Sequence, residues 1–255
     1  METKEEKAKT FGGDRRSFLR NAGVGAVAAA LIMSCKKKKE DEPTPAVVLP
    51  PAPDNSGVNL GSGNTGILNY AYALEQLEAA FYTRVVTGSV SGTTPSAEFS
   101  AAFSDANERI LIRDIMAHEI AHREFFKTAL GPGAIQGLTP KFDGIDFTSR
   151  TKILEVARTF EDLGVGAYNG AGQLIKVDDP ADVKKTGLTY LGLAGKIVSV
   201  EARHAAAIRD MLMSASFASN TNNDGLDVAY TPAFVLSQAQ AFIVEKINGS
   251  NLPTA

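Results

Sequence analysis

Cysteine occurs once in the 255 residues, at Cys35, which excludes an intramolecular disulfide and any zinc site built from four cysteines or from two cysteines and two histidines. A bound metal must therefore rest on carboxylate and imidazole. Positive charge is not in excess: the net charge is -3, which argues against a nucleic-acid binder. The 23 glycines and 11 prolines are close to average, which excludes collagen-like and low-complexity architectures. Aromatic residues make up only 7 %, yet a hydrophobic fraction of 44 % suffices for one globular domain with appendages and excludes a wholly disordered chain. No window alternates with period two over the length of a strand, so sheet architectures are excluded as well.

The N-terminal region reads as an address. A charged start ends in Asp14-Arg15-Arg16-Ser17-Phe18-Leu19-Arg20, and an uncharged run rich in Ala, Gly and Val fills residues 22–33. As a helix that run reaches only ~18 Å, too short for a hydrocarbon core of ~30 Å, and it is expected to be a signal rather than a permanent span. Arg15 and Arg16 before Phe-Leu resemble a twin-arginine export signal. Ile32-Met33-Ser34-Cys35 resembles the cleavage box of bacterial lipoproteins, which implies Cys35 as the lipid acceptor; the bland alternative is a free thiol in a cleaved leader. Loss of residues 1–34 leaves 20 basic and 25 acidic residues, a mildly acidic protein with its basic patch, the lysines at 36–39, beside the anchor. Pro-rich and then Gly/Ser/Asn-rich sequence over residues 43–66 reads as a flexible tether.

After Asn64 the pattern turns helical. Ile67, Leu68, Tyr70, Ala71, Leu74, Leu77, Phe81, Tyr82 and Val85 recur at threes and fours until Thr87-Gly88. A second helix is expected over residues 105–130, a third over 148–170, and a fourth from Asp179-Pro180 to about residue 216. A short final helix is expected near residues 232–247. The fold class is therefore all-α, an elongated antiparallel four-helix bundle. The long link at residues 131–147 is expected to cross the length of the bundle before a second helix pair begins. The domain plan is an export signal at 1–34, a lipid-anchored linker at 35–66, the bundle at 67–217, and a C-terminal loop with a short helix at 218–255.

The helices carry an internal repeat. Leu74-Glu75-Gln76-Leu77 matches Phe160-Glu161-Asp162-Leu163, and Tyr82 and Tyr168 each lie seven residues beyond their glutamate. Downstream, Glu119-Ile120-Ala121-His122 is answered by Glu201-Ala202-Arg203-His204. Residues three apart on a helix share a face, so each Glu-x-x-His pair can aim a carboxylate and an imidazole at one point. With Glu75 and Glu161 added, four carboxylates and two histidines converge in the bundle. Four ionised glutamates in a low-dielectric interior require compensation, and two divalent cations cancel their charge.

On these motifs, residues 65–216 resemble a ferritin-like domain, similar to the bacterial and plant group that includes desiccation-related proteins. The resemblance implies a di-iron or di-manganese site with Glu75, Glu119, His122, Glu161, Glu201 and His204 as ligands. Glu78 is an additional or alternative ligand; its counterpart in the repeat is Gly164, which favours Glu75. Tyr82 and Tyr168 project from the same helical stripe as Glu75 and Glu161, where core packing and a supporting hydrogen bond to the site are both open readings. The glycines of the third helix, Gly164, Gly166, Gly170 and Gly172, each cost ~1 kcal/mol of helix propensity relative to alanine, so they mark either a close approach or a loose helix.

His118-Glu119-Ile120-Ala121-His122 also matches the His-Glu-x-x-His of zinc metalloproteases. The bundle reading turns Glu119 and His122 inward and leaves His118 about 100° away from Glu119, as a bystander. The protease reading explains neither Glu161 nor the second Glu-x-x-His, and no third histidine follows at metzincin spacing.

Hard carboxylates with one imidazole per metal favour iron or manganese, although affinity order alone favours copper. The resemblance to a twin-arginine signal implies export of a folded protein, so metal could be acquired in the cytoplasm. The expected function is an envelope-anchored di-metal protein that removes peroxide or oxidises ferrous iron, with O2 or peroxide as small-molecule substrate. The alternative is a protective module of the desiccation type without turnover. The expected partners are the membrane, through the lipid, and the export machinery. A homo-oligomer is left open, and an iron-storage cage is disfavoured because a lipidated tether on every subunit would crowd one shell.

Overall fold

A left-handed glycine stops the first long helix: Gly88 has φ 77° and its amide donates to the Arg84 carbonyl. The computed structural model describes residues 56–178 and 186–254, all within the one compact unit formed by Pro50–Ala255. Its helices are α1 (Gly63–Thr87), α2 (Ala97–Ala102), α3 (Ala106–Leu130), α4 (Arg150–Gly172), α5 (Thr186–Leu212) and α6 (Pro232–Ala239). Single 3-10 turns follow α3 at Gly131–Gly133 and α6 at Gln240–Phe242, and β1 (Val58–Asn59) pairs in parallel with β2 (Ile247–Asn248). The all-α bundle expected from periodicity is the architecture found. The export signal, Cys35, most of the tether and the Asp179-Pro180 opening of the fourth helix lie outside the described residues.

Local chemistry sets the helix ends. Asp105 caps α3 by accepting from the amides of Asn107 and Glu108, Ser149 caps α4 through the Lys152 amide, and Thr231 caps α6 through Phe234, with Pro232 in the first turn. Four expectations need correction. The tether does not run to residue 66: Val58–Asn59 pairs with Ile247–Asn248, Leu60 is fully buried in the core, and α1 begins at Gly63. The helix α2, capped by Ser96 and pinned by buried Phe99, was not foreseen within the first connection. The third helix starts at Arg150 rather than 148, because Asp146 holds Thr148 in a turn of its own. The last helix ends at Ala239 instead of running on to 247. There the Gln240 side chain folds the chain back, donating to the carbonyls of Ile243 and Glu245 and accepting from the Ile247 amide.

Contacts at the helix ends fix the topology. Asn69, near the start of α1, donates to Gly133 and accepts from Ile135 just beyond the end of α3, so these two helices are antiparallel. Arg150, opening α4, pairs with Glu108 at the start of α3 and donates to the Met211 carbonyl at the end of α5. Helices α3 and α4 thus begin at the same end, and the crossover of residues 134–149 returns the length of the bundle between them. Helix α1 packs along α3 and α4 along α5, and the two pairs meet chiefly through α1 and α4.

Helix α1 is buried on almost every side, which marks it as the central element. The crossover covers its outer face, held by Gln76, whose Oε1 accepts from the Leu138 amide. Phe81 meets Tyr82, Phe142 and Phe160 edge to face, and burying each such ring contributes about 1.5–3 kcal/mol. The glycines of α4 mark a close approach. A Cβ at Gly166 would stand 2.2 Å from the Tyr230 ring and one at Gly170 only 1.8 Å from the Tyr230 carbonyl oxygen, while the Tyr230 amide donates to Gly166. The segment leading into α6 therefore lies directly on the α4 backbone. No helix among the described residues is long and apolar enough to cross a membrane.

Candidate metal centre

Four helices each bring one carboxylate to the middle of the bundle, and the pairing rules of the sequence put two imidazoles beside them. Glu75 on α1, Glu119 on α3, Glu161 on α4 and Glu201 on α5 have no exposed surface, and His204 is 4 % exposed. His122, one turn beyond Glu119, retains 13 % of its side-chain surface. Its Nδ1 lies 3.0 Å from Glu201 Oε1, 3.4 Å from Glu75 Oε2 and 3.5 Å from Glu119 Oε2. The Nδ1 of His204 lies 2.8 Å from Glu119 Oε1, 3.4 Å from Glu161 Oε2 and 3.7 Å from Glu201 Oε2.

Two groups of donor atoms result, one of Glu75, Glu119, His122 and Glu201, the other of Glu119, Glu161, Glu201 and His204, the atoms within each lying within 4.8 Å of one another. Glu119 and Glu201 belong to both. Each turns one oxygen toward His122 and the other toward His204, whereas Glu75 and Glu161 serve one group each. The outer oxygens of Glu75 and Glu161 are held by tyrosines: Tyr168 donates to Glu75 Oε1, and Tyr82 donates to Glu161 Oε1 at 2.5 Å. The tyrosines are thus exchanged between the repeats, each supporting the glutamate of the other helix.

Close contact here is not hydrogen bonding. Glu75 Oε2, Glu161 Oε2, both oxygens of Glu119 and of Glu201, and the Nδ1 atoms of His122 and His204 are buried without an aligned partner. Buried polar atoms are ordinarily satisfied, and eight orphans converging on one volume form a cluster that could hold metal. Two carboxylates that each face both groups, two that face one, and one imidazole per group suit a pair of divalent ions.

The electrostatics of the metal-free cluster agree. Burial, with the charges of Glu201 and Glu119, pushes Glu75 well above the ordinary carboxylate range against the pull of His122. Burial raises Glu161 to about 8 despite His204 beside it. In Glu119 burial is outweighed by the two imidazoles, which hold it down to about 2. Burial would depress both histidines, but the surrounding carboxylates raise each to about 12. Without metal the site therefore keeps protons where cations would sit.

Glu78 faces the same centre. It is 4 % exposed, and burial together with the charges of Glu201, Glu119 and Glu161 raises it well above the usual range. Its Oε1 lies 3.2 Å from where a Cβ on Gly164 would be, and Glu201 Oε2 lies 3.7 Å from the same point. The glycine opposite Glu78 in the repeat thus leaves room for a fifth carboxylate, although Glu78 belongs to neither donor group.

The structure corrects the reading of His118. It belongs to neither group, which removes it from a His-Glu-x-x-His zinc geometry, yet it is no bystander: its Nδ1 lies 3.0 Å from His204 Nε2. The spacing of residues on α3 could not reveal a contact made across to α5. All six expected ligands, both tyrosines and Glu78 are brought together; Arg15, Arg16 and Cys35 lie outside the described residues.

A comparison with curated proteins found no match. Residues 63–214, more than half of the chain, match the family described as a ferritin-like domain. The bundle, its crossover and its buried Glu/His cluster have the same extent as that match, and the chain belongs to the ferritin-like domain family.

Proposed function

We propose that this protein holds two ions of iron or manganese and uses them in redox chemistry, removing peroxide or oxidising ferrous iron. The observation that carries the reading is the set of eight unpartnered buried donor atoms, divided into two groups that share Glu119 and Glu201. When bound, such ions supply a reversible one-electron change at each centre, through which two peroxide molecules yield two waters and O2, or ferrous iron passes electrons to O2 or peroxide. Glu119 and Glu201 would be shared by both ions, with Glu75 and His122 completing one set and Glu161 and His204 the other. Tyr168 and Tyr82 fix the terminal glutamates so that one oxygen of each faces inward. Iron and manganese suit this oxygen-rich set better than zinc or copper.

The test is turnover of peroxide and of ferrous iron by metal-loaded protein beside Glu119→Ala. Activity in the wild type that is lost in the variant supports the reading. Two bound ions with neither activity would leave a metal-stabilised protective module in its place.

We further propose that the protein is exported and anchored in the bacterial envelope. Arg15-Arg16 supports use of the twin-arginine route, and the lone Cys35 at the end of the apolar run supports lipidation. Cys35→Ser should move the protein from the membrane fraction to the soluble one; retention in the membrane would contradict the anchor.

A further inference from the structure

Among the described residues, His118 and His204 form the one ring-to-ring hydrogen bond at the edge of the metal centre, and its geometry is specific. His118 is exposed on α3, next to the fully buried Glu119, and reaches across to α5. Its Nδ1 stands 3.0 Å from His204 Nε2. The ring planes differ by only 9° and the centroids are 5.2 Å apart. That separation is what an in-plane nitrogen-to-nitrogen bond of this length gives once the two ring radii are added. Parallel rings stacked face over face could not bring these nitrogens so close at that centroid distance. The rings therefore lie edge to edge, nearly coplanar, in the orientation of a straight hydrogen bond.

The direction of the bond follows from the other side of His204. Its Nδ1 is committed to the cluster, 2.8 Å from Glu119 Oε1. An imidazole that gives Nδ1 to a metal keeps its remaining proton on Nε2. With metal on Nδ1, Nε2–H is therefore the donor and His118 Nδ1 the acceptor. Metal-bound histidines are commonly oriented by a carboxylate or a carbonyl on the far nitrogen. With Glu75, Glu78, Glu119, Glu161 and Glu201 already buried nearby, another carboxylate would add to a surplus of negative charge, whereas a neutral imidazole orients His204 without doing so.

The repeat makes this support one-sided. Glu119 corresponds to Glu201, so the position of His118 is taken by Val200 in the second motif. Valine has no acceptor to offer, and among the described residues no hydrogen bond corresponds to it on His122. Resting on the di-metal reading, we propose that His118 is a positioning residue for His204, fixing its ring and its Nε2–H tautomer, and that the two ion sites are thereby unequal. The set of Glu119, Glu161, Glu201 and His204 binds its ion more tightly than the set completed by Glu75 and His122.

The full chain tests this with Mn²⁺ as probe, in the wild type and in His118→Ala, His118→Asn and His122→Ala. Asparagine places its Oδ1 where the histidine carries Nδ1 and restores an acceptor. In the metal-free protein, histidine ¹⁵N spectra should show a His204 Nε2–H protected from exchange, lost in His118→Ala and recovered in His118→Asn. In Mn²⁺ titrations the wild type should show two affinities. His118→Ala should weaken the tighter one about 10–100-fold, His118→Asn should recover most of it, and His122→Ala should weaken chiefly the looser one. Wild-type affinities in a folded His118→Ala, or no recovery in a folded His118→Asn, would overturn the proposal. A wild-type chain that binds neither Mn²⁺ nor Fe²⁺ would overturn the di-metal reading and the inequality of sites with it, while the exchange data would still report whether His118 holds the ring of His204.

Discussion

Tyr168 on α4 donates its hydroxyl hydrogen to Glu75 on α1, and the relation is returned by Tyr82 on α1, which donates to Glu161 on α4. Each half of the repeat thus orients the terminal carboxylate of the other. Neither half could build its donor group alone, which gives a physical reason for the α1–α4 contact at the centre of the bundle.

Tyr168→Phe and Tyr82→Phe should each leave one buried carboxylate oxygen without its donor. The expected loss is about 1–3 kcal/mol of stability in the metal-free protein, read by urea unfolding. Metal titration should separate the two variants. Tyr168→Phe is expected to weaken the ion set containing His122, and Tyr82→Phe the set containing His204. Equal weakening of both ions in either variant would contradict the crossed arrangement.

Stability of the metal-free chain should fall as pH rises from about 4.5 to 8. Glu161 keeps its proton up to about 8, and Glu75 and Glu78 are also raised, whereas the unfolded chain releases these protons near 4.5. His122 and His204, raised to about 12, add stability that is complete below 6.5 and declines above it. Glu119, held down to about 2, acts in the opposite sense, and its contribution is lost below 4.5 as the pH falls toward 2; His118, lowered by burial and by the charge of His204, acts in that sense too. Through the neutral range the folded state binds more protons than the unfolded one, so the slope is negative. Saturating Mn²⁺ should reverse it, because metal binding displaces those protons. Melting temperatures at pH 4.5, 6.5 and 8, with chelator and with Mn²⁺, check both slopes; a metal-free melting temperature that rises with pH would contradict the assignment.

Glycine substitutions should divide by what lies opposite. Gly170→Ala drives a Cβ into the Tyr230 carbonyl and is expected to cost about 1–3 kcal/mol or to detach the segment before α6. Gly192 and Gly195, exposed on α5 with nothing within 4 Å of a new Cβ, should each gain up to about 1 kcal/mol as alanine. Thermal unfolding of the three variants reads the contrast directly.

The sequence displayed the helices clearly because their ends carry local signals, among them Asp105 before α3, Gly88 after α1 and Thr231-Pro232 at α6. The six central Glu and His residues were legible for a similar reason: spacing along one helix decides which side chains share a face, and the repeat supplied the rest. Helix α2 was missed although Ser96 and the buried pair Phe99 and Phe103 marked it, since six residues give too short a period to stand out from a loop. What stayed hidden depends on the facing element. The exchange of Tyr82 and Tyr168, the reach of His118 to His204, and the approach of Tyr230 to Gly166 and Gly170 are all set by the register of one segment against another, which no single helix encodes.

The most direct measurement is the iron and manganese content of the protein purified without chelators, for the wild type, Glu75→Ala, Glu119→Ala and Glu201→Ala. The shared position of Glu119 and Glu201 between the two donor groups implies about two ions per chain in the wild type, both lost with either shared glutamate, and one retained in Glu75→Ala. A single ion that survives Glu201→Ala, or a folded helical wild type that holds no metal, would contradict the di-metal centre.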